Sequence, residues 1–384
     1  MDATALCQNV SAQADTQPQA PSKGIHSIAA LRSRRTPTIE RPVGGRILAM
    51  EDCGMKIVSL LSALTLFLSP LASGAQKPPL KLVQTIPLPG VAKRIDHMAV
   101  DTAHKRLFVA ALGNNTVEVI DLAAGKRVHT ISEVHEPQGL AYVPSINRLF
   151  VAEAKNEGCL AFDAPKFERV GSVAYSDEDA DNARYDAKAN KVVIGVGDGF
   201  LSIIDAKTYA NDGAIILSGH PESFQLEQNG PRIFVNVPKA NHIAVVDRAK
   251  GQILATWPVT GARANFPMAL DEAGHRLYIG CREPARVLIY DTNSGKQTGS
   301  FDVSGDTDDL FFDPALKRVY VSCGAGFLDV FKQKDQSHFD RIDHLTTYAG
   351  ARTSLFVPEL KRLYLAVPKS GAKQAEIRVY ETLP

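Results

Sequence analysis

The chain has 384 residues, 45% hydrophobic and 22% charged, an ordinary globular composition with ample material for a large core. Its formal net charge is +1, and no basic block interrupts the body of the chain. General nucleic-acid binding and broad attachment to anionic membranes are therefore disfavoured.

Residues 1–54 carry Arg32, Arg34, Arg35, Arg41 and Arg46 among scattered prolines, with no periodic apolar pattern, and read as disordered. At Met55 the pattern changes. Met55-Lys56 leads into a twelve-residue apolar run, Ile57 to Leu68, and a small-x-small site at Ser73 and Ala75 precedes Gln76. That is the layout of a secretory signal peptide, and the run is too short to span a bilayer comfortably. The residue directly after the cleavage site is Gln76 and not a cysteine, so a lipoprotein anchor is not indicated. The expectation is a signal peptide over 55–75 and a mature chain of 76–384, periplasmic or secreted, without a transmembrane anchor. Residues 1–54 are then an over-long gene start, the alternative being a genuine basic leader.

Three cysteines lie beyond Gln76: Cys159, Cys281 and Cys323. An odd number leaves at least one thiol free. Cys281 and Cys323 occupy matching places in neighbouring repeats, too far apart for disulfide geometry. All three read as small buried hydrophobes.

The body of the chain repeats itself. A basic residue followed by an apolar run recurs at Arg106, Arg148, Lys191, Arg232, Arg276, Arg318 and Arg362, at spacings of 42, 43, 41, 44, 42 and 44 residues. A period in this range with β-rich content predicts propeller blades, each a four-stranded antiparallel sheet. In the first unit the spacing of turn residues predicts strand A at 97–101, B at 106–112, C at 116–122 and D at 127–132. Strand C ends in aspartate five times, at Asp121, Asp163, Asp205, Asp247 and Asp291, which predicts a cap on the following turn rather than chemistry.

Closure can be read as well. The last repeat ends on strand C, Ala375 to Leu383, and lacks a strand D, while Lys81 to Ile86 matches strand D of the first repeat. The N-terminal strand is expected to complete the last blade, giving an all-β, seven-bladed β-propeller with no open ring edge.

The seven basic-apolar strands, the Asn-containing turns at Asn114-Asn115, Asn156 and Asn241, and the aspartate-ended C strands resemble the YVTN/YncE-like propeller family across 80–384. The resemblance implies an exported binding or scaffold protein, and implies fold more strongly than function. The Trp-Asp dipeptide of WD40 repeats is absent, and Trp257 is the sole tryptophan, which excludes the repeated tryptophan pattern of quinoprotein propellers.

No His-Glu-x-x-His, Cys-x-x-Cys, Gly-x-Ser-x-Gly or phosphate-cradling loop occurs. Gly195-Val-Gly197-Asp-Gly199 lies in a strand-to-strand turn with no helix after it, so it reads as a glycine turn. Propeller sites form where loops converge at one mouth of the channel. Ten residues before each strand-B basic position stand Asp96, Gln138, Asp181, Glu222, Phe266, Asp308 and Arg352. The next positions include His97, Asn182 and Asp309, and two positions earlier stand Arg94, Asp179, His220 and Asp306. Arg184 and Arg263 are expected near the same opening.

Three readings follow. The polar ring is a solvated lining whose charges satisfy one another. Alternatively it is a ligand site built from Arg94, Asp96, Gln138, Asp181, Asn182, Glu222, Asp308 and Arg352, with arginines gripping an anion. Or Asp96, Asp181, Glu222 and Asp308 hold a divalent cation, calcium or magnesium from oxygens alone, shifting toward zinc if a histidine joins. An enzyme here would be a lactonase or lyase with His97 or His220 as general base and a metal assisting. The leading expectation is a binding or interaction protein for a small ligand or a protein partner at the mouth, and the remaining alternative is an assembly scaffold.

Overall fold

The computed structural model describes residues 77–156, 158–175 and 179–384. The expected leader and signal segment, 1–54 and 55–75, lie outside them. The described chain forms seven four-stranded antiparallel sheets arranged as a propeller. From the channel outward the strands are called A to D.

The first blade holds Met98–Asp101, Arg106–Ala111, Thr116–Asp121 and Lys126–Ile131, each within a residue of the boundaries expected from its turns. The seventh holds Ser354–Val357, Arg362–Val367 and Ala375–Thr382, and its outermost strand is Leu80–Leu88. Leu80 pairs with Thr382 and Leu88 with Ala375, so both ends of the ring are tied in one ladder. This is the expected closure, and it removes the exposed seam that a broken ring would present.

The core is partitioned by blade. Seven apolar clusters each lie between two neighbouring blades. Strand B explains the sequence signature, because it is covered on both sides. Leu107, Val109 and Ala111 face the seventh blade, whereas Phe108 and Ala110 face the second. A strand buried on both faces reads as an unbroken apolar run rather than an alternation.

The basic residue that opens strand B has a structural task. Arg106 Nη2 lies 2.6 Å from Asp101 Oδ2 within its own blade, and Arg106 Nη1 donates to the Ala164 carbonyl of the next blade. Arg232 likewise pairs with Glu227 at 2.5 Å and donates to the Thr292 carbonyl, and Arg318 donates to the Leu383 carbonyl. These side chains staple successive blades, so the repeat of the basic residue needs no catalytic account.

The aspartates that end strand C cap turns as expected. Asp121 Oδ1 accepts from Ala123 N at 2.8 Å and Ala124 N at 2.9 Å, and Asp205 and Asp247 do the same. Cys159, Cys281 and Cys323 are free and buried.

Candidate functional site

The inner strands of the seven blades run side by side around the channel. In five of them the residue two before the ring position has a left-handed backbone: Glu136 (φ 47°), Asp179 (84°), Ala264 (58°), Asp306 (59°) and Gly350 (82°). Non-glycine residues rarely adopt this conformation, which here turns the chain into the inner strand. Four inner strands then carry a register shift, between Pro137 and Leu140, Ala180 and Ala183, Asn265 and Met268, and Thr307 and Asp309. A bulge inserts an unpaired residue and re-aims its side chain. Gln138, Asp181, Asn182, Phe266 and Asp308 sit inside these bulges.

In the first and fourth blades the same places are filled just ahead of the strand. Asp96 N donates to the Ala110 carbonyl at 2.7 Å, and Glu222 N donates to the Asn236 carbonyl at 2.9 Å. Gly139 makes the ring tight. A Cβ there would stand 1.8 Å from the Asp181 carbonyl oxygen, so only glycine lets the two blades approach this closely.

The result is a cavity of about 210 Å³ at the mouth. Of the expected site residues, Arg94, Gln138, Asp181, Asn182, Glu222, Asp308 and Arg352 line it, together with His97 and His220. Asp96 is wholly buried beside it, its Oδ2 2.6 Å from Arg94 Nη2. Arg184 lines a second cavity of about 330 Å³ further along the channel, against the expectation that it joins the mouth. Arg263 is also elsewhere, 75% exposed and paired with Glu283 at 2.5 Å. His97 and Ser223 line both cavities and so mark the neck between them.

One mouth residue escaped the ring register. Arg282 comes from the strand Arg276–Glu283, whose last residues extend past the usual end of strand B. Its guanidinium lies 3.8 Å over the Phe266 ring, and Nη2 is 2.5 Å from Asp308 Oδ1. That strand is two residues longer than strand B of the other blades, a length that only the structure shows.

The charges divide unevenly. Arg352 Nε lies 2.9 Å from Asp308 Oδ2, and Arg352 Nη1 lies 2.9 Å from Asp306 Oδ1. Arg94, Arg282 and Arg352 are therefore each matched to a carboxylate already. Asp181 and Glu222 are not: among the described residues neither forms an ion pair with an arginine or lysine. Their nearest cationic-type neighbours are histidines, His97 Nε2 at 3.8 Å from Asp181 Oδ1 and His220 Nε2 at 3.8 Å from Glu222 Oε1. Both distances exceed a hydrogen bond.

The proton affinities follow. Burial first, then Asp96 and Asp308, push the Asp181 carboxyl up to about 7 against the pull of His97. Burial, with Asp181 and Asp308 adding to it, pushes Glu222 up to about 8. Burial lowers the His220 pKa, which leaves that imidazole neutral at pH 7. His97 is the opposite case. Burial alone would depress it, but Asp309, Asp96 and Asp181 outweigh that and raise it to about 10.

Asp181, His220 and Glu222 each offer a donor atom, and these atoms lie within 4.8 Å of one another. The arrangement can receive a cation or a strong hydrogen-bond donor. Of the four acids expected to hold a metal, Asp181 and Glu222 belong to this group, whereas Asp96 and Asp308 face arginines.

Comparison with known proteins adds the fold alone. No protein-family model matches the chain, and no curated protein matches it. Among solved structures, a chain of the "Crystal Structure of Mitotic Checkpoint Complex" superposes with a TM-score of 0.68 at 12% identity, covering 89% of this chain and 100% of that one.

Proposed function

We propose that this chain is an exported binding propeller of the YVTN/YncE type whose mouth cavity takes a small, electron-poor ligand, either a cation or a compound rich in hydrogen-bond donors. The observation that carries the reading is a set of buried acceptors with nothing to accept. Asp181 Oδ1, Asn182 Oδ1 and His220 Nε2 are shielded from solvent and have no hydrogen-bond partner, and all three residues line the cavity. Leaving such a group unsatisfied costs about 1–3 kcal/mol. Three in one small cavity are better explained by a ligand than by packing. The paired arginines disfavour an anion as the primary ligand. Export rests on the segment 55–75, with 76–384 as the mature single domain.

A metal-assisted hydrolase or lyase of lactone type is the second reading. One feature favours it: burial, with Asp181 and Asp308 nearby, raises the Glu222 carboxyl to about 8, the range suited to a general acid or base at neutral pH.

A thermal-shift survey of small amines, amino acids, polyols and organic acids tests the ligand reading. Cationic or donor-rich compounds should stabilise the protein, by about 2.7 kcal/mol at a hundred times Kd. Asp181→Asn combined with Glu222→Gln should abolish that shift. Stabilisation by organic acids alone, lost in Arg352→Ala, would overturn it in favour of an anion site.

A further inference from the structure

We infer that the mouth holds one divalent transition-metal ion, of the zinc or manganese class, through Asp181, His220 and Glu222. The inference rests on the reading of the cavity as a site for an electron-poor ligand, and it names that ligand.

Asp181 comes from the inner-strand bulge of the third blade, and is only 8% exposed. His220 and Glu222 come from the entry to the fourth, two residues apart, so a single turn delivers both. The three donors already converge within 4.8 Å. Tetrahedral ligands about 2.0–2.1 Å from zinc stand about 3.3 Å apart, so small side-chain rotations would complete the set.

The second observation concerns the histidine. Its Nδ1 lies 3.4 Å from Asp179 Oδ2, and Gln138 Nε2 donates to the other Asp179 oxygen at 2.8 Å. Metal-binding histidines typically direct one ring nitrogen to an orienting carboxylate and ligate through the other. Here the other nitrogen, Nε2, is buried and unpartnered, and Asp181 Oδ1 beside it is too. Gln138 thus holds Asp179 beside the ring, and the far nitrogen of His220 lies free within 4.8 Å of an oxygen of each of the two carboxylates.

Ligand chemistry selects the ion. One imidazole with two carboxylates suits zinc or manganese better than calcium, which takes six to eight oxygens. Three protein ligands leave a further coordination position toward the cavity, as in metal sites that exchange a bound molecule.

The test uses the full chain without an affinity tag, stripped with a chelator and titrated with zinc, manganese, cobalt, calcium and magnesium chlorides by calorimetry. One equivalent of zinc or manganese should bind, with calcium and magnesium at least 100-fold weaker. Cobalt should give a visible absorption band that His220→Gln removes. Asp181→Asn and Glu222→Gln, both close in shape to the native residues, should each weaken binding at least tenfold. His338→Gln, in an exposed pair with Asp335, should leave it unchanged. No stoichiometric binding, binding indifferent to His220→Gln and Asp181→Asn, or calcium bound as tightly as zinc would overturn the inference. Small amines that stabilise the stripped protein while every metal fails would sink the metal site and leave the ligand reading standing. Metal binding with a flat survey of organic compounds would leave the metal as the sole occupant.

Discussion

His220 Nδ1 stands 3.4 Å from Asp179 Oδ2, while its Nε2 is buried without a partner. A carboxylate on the Nδ1 side favours the tautomer that leaves Nε2 as the free donor. Asp179 is half exposed, so it contributes little to packing. Asp179→Asn should therefore leave the melting temperature unchanged and weaken zinc by about 10–100-fold, as loss of an orienting partner does. A competition titration against a fluorescent zinc chelator reads this. Unchanged affinity would show that the contact does not orient the ring.

The carboxyl pair sets a pH dependence. An acid whose folded pKa exceeds its unfolded value holds more protons when folded, so stability falls as pH rises between the two. The window is about 3.8 to 7 for Asp181 and about 4.5 to 8 for Glu222. The metal-free protein should lose several degrees of melting temperature from pH 5 to pH 8. Asp181→Asn with Glu222→Gln should flatten that slope below pH 6.5, while above it His97, raised to about 10, keeps a part of the fall. An equal slope in parent and variant would locate the charge strain elsewhere.

The blade staples predict an asymmetry among arginines. Arg106→Ala takes the arginine from Asp101, whose side chain is 1% exposed and keeps its bonds to His104, and also loses the bond to the next blade. Breaking a buried pair from one side costs about 3–5 kcal/mol, and the remaining His104 bonds should hold this loss to the lower end, about 3 kcal/mol. Arg263→Ala removes an exposed pair and should cost about 1 kcal/mol or less. Urea midpoints compare the two, and equal losses would contradict the staple.

Closure predicts a failure of cooperativity. Ile86 and Leu88 are fully buried between the seventh and first blades, on the strand that pairs with Ala375–Thr382. Deleting 80–88 should expose that edge and produce aggregation or a broad, non-cooperative melt. A truncated chain that melts like the parent would place the closing contact elsewhere.

The fold was legible because a strand buried on both faces writes an unbroken apolar run, and because a basic residue opens that strand every 41 to 44 residues, bonding the next blade at Arg106, Arg148, Arg232 and Arg318. The site was legible in part for the same reason. Counting ten back from each staple reached Asp181, Glu222, Asp308 and Arg352, since the inner strand ends five residues before strand B in six blades and six before it in the fourth. Counting could not tell which face of a bulged strand a side chain takes. Arg184 follows the bulge between Ala180 and Ala183 and points to the deeper cavity. Nor could it show pairing: Asp96 and Asp308 look equivalent to Asp181 along the chain, yet arginines occupy them. Arg282 enters from a lengthened strand B, outside the register altogether.

The central claim is that the mouth is a cation site built by Asp181, His220 and Glu222. The most direct measurement is an anomalous difference map at the zinc edge, from crystals of the chain grown with one equivalent of zinc. A single strong peak should lie about 2.0–2.2 Å from His220 Nε2 and from one oxygen each of Asp181 and Glu222. A map with no peak at the mouth, or with its strongest peak away from these three residues, would contradict the claim.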